Sequence, residues 1–203
     1  MKYFKLLTIC LLATWMVSSC GGKKGGDASE NDSDSISAIN MMPKDKTLYG
    51  ICGEGTAMNT LQLITDNGDT LNISILLARD NNMVFGGLEE NNKMAVLLAP
   101  DSSAVEVINL STLLGNWVEP NPLDGSSIQG IAIKDGGIAQ SINMSNMIYK
   151  SWRIFNGRFV VTFQSDIASQ DEEETDTFDI KSLGADSLSI GNSNETHQYN
   201  RQR

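Results

Sequence analysis

Histidine and serine are the residue types that would have to carry nucleophilic catalysis in this chain. His197 is the only histidine among the 203 residues, and it lies in a stretch typical of a β-strand. A serine that works with a histidine and an acid needs a sharply turned context such as Gly-x-Ser-x-Gly, which the sequence lacks. A strand histidine is more commonly a surface residue or one with a structural partner. We therefore expect no catalytic residue and predict that the protein is not an enzyme.

Metal and cofactor chemistry has equally little support. Residues 171–176 contain five acids in six positions, but they lack the Asp-x-Asp-x-Asp-Gly spacing that wraps one calcium ion. We interpret this run as a solvated hairpin loop and predict no metal site. The stretches at Gly86-Gly87 and Gly125-Ser126-Ser127 lack the strand–loop–helix setting of a phosphate-binding loop, so no cofactor is expected.

The net charge bears on the class of partner. The chain has 25 acids against 15 bases and a formal charge of −10 at pH 7. A protein that binds nucleic acid needs a basic surface to displace counterions from phosphate. The composition therefore argues against a nucleic-acid partner.

The N-terminus has the pattern of a secretory signal. Lys2 and Lys5 precede an uncharged apolar run over residues 6–17, which is too short to span a bilayer as a helix. The run ends in Val-Ser-Ser-Cys-Gly at Cys20, similar to a bacterial lipobox, whose cysteine is acylated and becomes the mature N-terminus. We predict a lipoprotein signal over residues 1–19 and lipidation of Cys20; the alternative is an ordinary signal peptide with a chance cysteine.

A lipidated Cys20 bears on the residues that follow it, on Cys52 and on the location of the protein. Residues 20–44 are rich in Gly, Ser, Asp and Asn and poor in large apolar side chains, so we predict a flexible tether. Cys52 is then the only free thiol, in the apolar stretch Tyr-Gly-Ile-Cys-Gly, and we expect a small buried residue rather than a nucleophile. The expected location is the cell envelope, anchored to the outer membrane, with the periplasmic and the surface-facing sides both open.

From residue 46 onward apolar side chains recur with a period of two, which indicates β-strands. Examples are Leu71, Ile73, Ile75 and Leu77, then Met94, Val96 and Leu98, and later Phe159, Val161 and Phe163. Asn-Gly pairs at residues 67–68 and 156–157 predict hairpins with type I′ turns, in which both central residues have positive φ. We predict an all-β chain with about five strands in residues 46–108 and six to eight in residues 116–202.

Asn-Leu-Ser-Thr-Leu-Leu-Gly at residues 109–115 interrupts the alternation. Asn109 or Ser111 can cap a short helical turn there, and Gly115 can end it in the left-handed conformation. We place a boundary at this turn, between an N-terminal β module (residues 45–110) and a C-terminal one (residues 111–203). Both are short for independent domains, so we expect them to pack together.

The C-terminal module resembles a known family. Gly115-Asn116-Trp117 follows the helical turn and opens the first strand, as does the Gly-x-Trp signature of lipocalins and their calycin relatives. Further similar segments lie around Trp152, Phe178 and Leu188. The chain is similar to lipocalin-like lipoproteins of Gram-negative gut anaerobes, best over residues 110–203. The resemblance implies a meandering β-barrel in which Trp117 closes one end and Arg201, on the last strand, packs over its indole ring.

The resemblance leaves the function between two classes. The first is a small apolar-ligand binder that uses the barrel mouth, and the second is a non-catalytic interaction module that binds protein or glycan. Exposed aromatic or Met side chains around an open mouth would favour the first, and a barrel filled by its own side chains the second.

Some gut anaerobes also O-glycosylate exported proteins at Asp, then Ser or Thr, then an aliphatic residue. Ser35, in Asp34-Ser35-Ile36, is the candidate within the tether.

Overall fold

The computed structural model describes residues 44–166 and 172–203, and Lys44–Arg203 form one compact unit. The predicted signal segment, Cys20, Ser35 and most of the predicted tether lie outside the described residues. Strands dominate the described residues, which confirms the predicted all-β class.

The first six strands form one sheet with the order β3-β2-β1-β5-β6-β4. Neighbours in this sheet are antiparallel, except that β4 runs parallel to β6. The strands are β1 (Thr47–Cys52), β2 (Thr60–Thr65), β3 (Thr70–Ser74), β4 (Val84–Phe85), β5 (Lys93–Leu98) and β6 (Ala104–Asn109).

The alternation predicted through Leu77 is wrong after Ser74, because β3 ends there and a short helix, α1 (Leu76–Asp80), follows. Ile75 and Ala78 are both fully buried. They are three residues apart, and a helical turn brings residues at this spacing to one face, whereas a strand would place them on opposite faces. Apolar spacing alone did not separate the two conformations over so short a stretch. Among the described residues, no helix has the length and apolar character needed to cross a membrane.

The last eight strands close into a barrel in which each pairs with the next along the chain and β14 pairs back with β7. This confirms the predicted meander barrel. The strands are β7 (Gly115–Pro120), β8 (Ile128–Lys134), β9 (Ile138–Ile142), β10 (Met147–Phe155), β11 (Arg158–Ser165), β12 (Glu174–Leu183), β13 (Ser187–Gly191) and β14 (Thr196–Gln202).

The two Asn-Gly hairpins differ in turn geometry. At the β10–β11 turn both Asn156 and Gly157 have positive φ, 50° and 78°, as a type I′ turn requires. At the β2–β3 turn Gly68 has positive φ and Asn67 does not. The type I′ prediction is therefore wrong at residues 67–68, although the hairpin itself forms.

The sheet packs one face against the barrel, as predicted for the two modules. Phe85, Ala95 and Ile108 of the sheet share a buried cluster with barrel residues. The opposite face of the sheet packs on α1 in a second cluster that includes Ala78 and Met94. The hydroxyl of Tyr49 also donates a hydrogen bond to the Ile154 carbonyl of the barrel, at 2.6 Å.

Candidate functional site

The inward-facing side chains of two paired strands, β7 and β14, extend from one end of the barrel interior to the other. Alternate residues of a barrel strand face inward. On β14 these are His197, Tyr199 and Arg201, and on β7 they include Trp117 and Glu119. Because the strands are antiparallel and Arg201 pairs with Trp117, Glu119 and His197 meet at the opposite end of the barrel.

The end that contains Trp117 is closed. Arg201 Cζ lies 4.2 Å from the centroid of the Trp117 ring, a cation–π distance. The guanidinium donates hydrogen bonds to the carbonyls of Leu114 and Thr112, each at 2.6 Å. Trp117 is fully buried, and its Nε1 donates to the Leu113 carbonyl at 2.7 Å. The Trp117–Arg201 pair thus fastens the barrel base to the preceding turn.

Gly115 has a different role from the predicted one. The helix before it, α2 (Leu110–Leu113), is capped by Asn109, whose side chain accepts a hydrogen bond from Thr112 N. It ends at Leu113, with Leu114 extended, so the expectation that Gly115 ends the helix is wrong. Gly115 instead opens β7 with φ +147°, and a Cβ there would collide with the Arg201 guanidinium. A glycine is therefore required for Arg201 to reach the base of the barrel.

The other end holds a cavity of about 520 Å³, a size within the roughly 300–1,000 Å³ range of small-molecule pockets. Its apolar lining residues are Pro122, Leu123, Met144, Met147, Val161 and Phe178. Its polar lining residues include Glu119, Asn121, Gln129, Asn143, Tyr149, Asp176, Glu195, His197 and Tyr199. The barrel is therefore filled by its own side chains near Trp117 and open at its mouth.

His197 lies between two carboxylates at the mouth. Its Nδ1 is 2.9 Å from Glu119 Oε1 and its Nε2 is 3.4 Å from Glu195 Oε2. The imidazole also stacks on the Tyr199 ring, with centroids 5.5 Å apart and planes 9° apart. Both ring nitrogens thus face acids, and no serine is among its hydrogen-bond or ion-pair partners in the described residues.

Asp176 belongs to the acidic run that we interpreted as a solvated loop, and that interpretation is wrong for its end. Residues from Glu174 onward form β12, and Asp176 lines the cavity. Burial raises the pKa of Asp176 above its ordinary value, and the negative charges of Glu195 and Glu174 raise it further. Within the two described ranges, no three His, Cys, Asp or Glu side chains converge to hold a metal ion.

Two tyrosines extend below the acids. Burial raises the pKa of Tyr149 to about 12, and the neighbouring charges of Glu195, Glu119 and Asp176 add to the effect. Burial likewise raises the pKa of Tyr199, with further contributions from Tyr149, Glu119 and Glu195. Both hydroxyls therefore remain protonated at neutral pH, next to the carboxylates.

Cys52 lies away from this cavity, on β1 of the sheet. Its side chain is fully buried, and Sγ is 3.3 Å from Thr56 Oγ1 and 3.6 Å from the Leu88 carbonyl. The thiol therefore packs as a small core residue.

From the sequence we singled out Trp117, Arg201 and His197 but missed most of the mouth. Glu119 is two residues from Trp117 and Tyr199 two from Arg201, so alternation along β7 and β14 could have identified both as interior positions. The pairing of Glu119 with His197, across 78 positions of chain, depends on barrel closure and has no local signal.

The part of this chain that resembles known proteins is the barrel. A model of the lipocalin-like family matches residues 109–202. The crystal structure of a lipocalin-like protein from Bacteroides thetaiotaomicron VPI-5482 is 38% identical over 45% of this chain and 97% of that chain, with a TM-score of 0.41. The search of curated proteins gave no match.

Proposed function

Because this chain belongs to the lipocalin-like family, we propose that it binds a small molecule in the mouth of its barrel. The observation that carries the proposal is the 520 Å³ cavity above a base closed by Trp117 and Arg201. Ligand pockets are typically concave, mostly apolar and equipped with a few convergent polar groups. The mouth cavity is concave and combines apolar side chains with a larger number of convergent polar ones.

The flexible side chains of the lining support binding rather than simple closure. Met144 and Met147 are both half-buried at the mouth. Methionine adapts its shape to irregular apolar partners and is common at binding surfaces. Leu123, in the loop between β7 and β8, is 91% exposed and adds an apolar contact at the rim.

The proposal includes an envelope location. The short apolar run, the Val-Ser-Ser-Cys ending at Cys20 and the tether-like residues 20–44 support a lipid-anchored protein of the outer membrane. Ser35 is the proposed O-glycosylation site of that segment. Neither proposal depends on the cavity.

Native mass spectrometry of the full-length protein, purified in mild detergent from its own cells, tests ligand binding. We expect the native mass to exceed the denatured mass by that of one retained small molecule. Met147→Trp, which fills part of the cavity, should lose the additional mass. Met58→Trp is the matched control, because Met58 is 73% exposed on the sheet module and should retain it.

Equal native and denatured masses for the unmodified protein would contradict ligand binding and favour the interaction module. Retention of the molecule by both Trp variants would place it outside the mouth cavity.

A further inference from the structure

We infer that the ligand of the barrel mouth is an organic cation, a small molecule with an ammonium group on an apolar body. The inference rests on the proposed function and specifies its ligand class. Three carboxylates, Glu119, Asp176 and Glu195, line the cavity together with one imidazole, His197. Among the described residues no lysine or arginine lines it, so its carboxylates outnumber its one basic side chain.

Asp176 is the carboxylate available to a ligand. Glu119 and Glu195 both have His197 as a neighbour, at 2.9 and 3.4 Å. Asp176 is half-buried, and its carboxylate has no hydrogen bond or ion pair to any described side chain, although nearby His197 partly offsets the rise in its pKa. A partly desolvated carboxylate without a partner is unfavourable in the empty protein, and a bound cation would compensate it.

Tyr199 supplies the independent observation. Its side chain is 95% buried, since the residue is only 5% exposed, and it lines the cavity. Its hydroxyl has no hydrogen-bond partner among the described residues. No buried side-chain polar atom of the described residues lacks a partner, so this unpartnered hydroxyl is reached from the space of the cavity, where it can meet a ligand atom.

The neighbours of Tyr199 in the cavity lining indicate what its hydroxyl meets. Tyr199 lines the cavity together with Tyr149, Glu119 and Glu195. The hydroxyl therefore faces the acidic mouth rather than the apolar base. An ammonium group has three N–H donors, and these can be shared between the Asp176 carboxylate and the tyrosine hydroxyls, both of which accept hydrogen bonds.

The rest of the lining favours an organic cation over a metal ion. As noted, no three potential metal ligands converge in the described part of the chain. Val161 and Phe178 are buried beside the acids, and Met147 lies at the rim. An apolar body of the ligand would cover these side chains while its ammonium group meets Asp176.

The test compares three probes that share one skeleton and differ in charge: phenethylamine, phenethyl alcohol and hydrocinnamate. Binding to the full-length protein in detergent is measured by isothermal titration calorimetry at neutral pH. We expect phenethylamine to bind about tenfold or more tightly than the alcohol, the size of a charge-assisted hydrogen bond. Hydrocinnamate should bind most weakly.

Variants then locate the effect. Asp176→Asn should weaken phenethylamine binding about tenfold and leave phenethyl alcohol unchanged. Asp66→Asn, which removes an exposed acid of the sheet module, is the control of equal net charge and should change neither. If Asp176→Asn does not fold, Asp176→Ser, which removes the same carboxylate, replaces it.

Phenethylamine binding no tighter than the alcohol, or equal losses in Asp176→Asn and Asp66→Asn, would overturn the inference. Failure of all three probes would overturn it as well. The native-mass experiment keeps the two proposals distinct. A retained neutral or anionic molecule would support ligand binding and would contradict only the inference that the ligand is a cation.

Discussion

At the residue scale, Trp117 joins three parts of the described chain. Its indole packs in the buried cluster shared by sheet and barrel, its Nε1 donates to the turn before β7, and Arg201 from the last strand covers its ring. The loss of this one side chain would remove core volume and leave the Arg201 guanidinium without its aromatic partner.

Trp117→Ala should therefore lower the free energy of unfolding by about 3–5 kcal/mol, as large aromatic truncations in cores do. Urea unfolding followed by circular dichroism measures the loss. Trp152→Ala is the control, because Trp152 is only half-buried, on the barrel strand β10, and its removal should cost less. An unchanged unfolding midpoint for Trp117→Ala would rule out its role as the closing residue.

Glu106 is a second residue whose environment has a measurable consequence. It lies on β6 where the sheet meets the barrel, with its carboxylate over Gly157 of the β10–β11 turn. Burial raises the pKa of Glu106 to about 7, and the Asp179 charge adds to the effect. Among the described residues, no side chain forms a hydrogen bond or ion pair with it.

Stability should consequently fall as pH rises from about 4.5 to about 7, since the folded carboxyl still binds a proton there that the unfolded one has lost. Glu106→Gln should remove this slope and stabilise the protein by roughly 1–2 kcal/mol above pH 7, a value reduced for partial solvent exposure. Urea midpoints measured across this range test it. Glu54→Gln, at an exposed position, should keep the slope; a slope that persists in Glu106→Gln would contradict the assignment.

At the element scale, the β10–β11 hairpin is the point where the sheet module holds the barrel. Asp45 accepts a hydrogen bond from Asn156 N at 2.9 Å, and Thr47 Oγ1 accepts one from Gly157 N at 3.2 Å. Tyr49 donates to the carbonyl of Ile154 on the same hairpin. Asp45, just before β1, and Thr47 and Tyr49 within it thus engage one hairpin of the barrel.

Tyr49→Phe should lower the free energy of unfolding by about 1 kcal/mol, the usual contribution of one such hydrogen bond. Tyr149→Phe makes the same chemical change where the hydroxyl has no hydrogen-bond partner among the described residues, so it should cost less. Equal losses in the two variants, measured by thermal or urea unfolding, would mean that the Tyr49 contact does not stabilise the sheet on the barrel.

Elements were predictable where local spacing determines them. Period-two alternation and Asn-Gly turns identify the strands, because a barrel strand has one buried face. Alternation failed at Ile75, where a helical turn buries the same residues. Register and closure were also beyond local patterns: the bulge between Tyr149 and Ser151 in β10 changes which side chains face inward, and no sequence period marks it.

The candidate site could be predicted from the sequence only in part. Trp117 and Arg201 were identified because a family motif carries them. Glu119, Asp176 and Tyr199 were missed because acids and tyrosines on strands are common at surfaces. Only the closed barrel brings them together with His197.

At the scale of the whole molecule, we propose that an anchored N-terminal segment carries a folded unit that binds a ligand. Replacement of Cys20 by Ala should move the protein from the membrane pellet to the soluble fraction after cell lysis, because the acylation site is lost. Cys52→Ala is the matched control, because it removes the cysteine that is not the proposed acylation site. This variant should remain in the pellet. A Cys20→Ala protein that stays membrane-bound would contradict the lipoprotein assignment.

The most direct test of the central proposal is a crystal structure of the full-length protein purified from its own envelope with its ligand retained. The account predicts electron density for one small molecule in the mouth cavity, within hydrogen-bond distance of the Tyr199 hydroxyl and in contact with Met147. A cavity that contains only ordered water, or one collapsed around its own side chains, would contradict it.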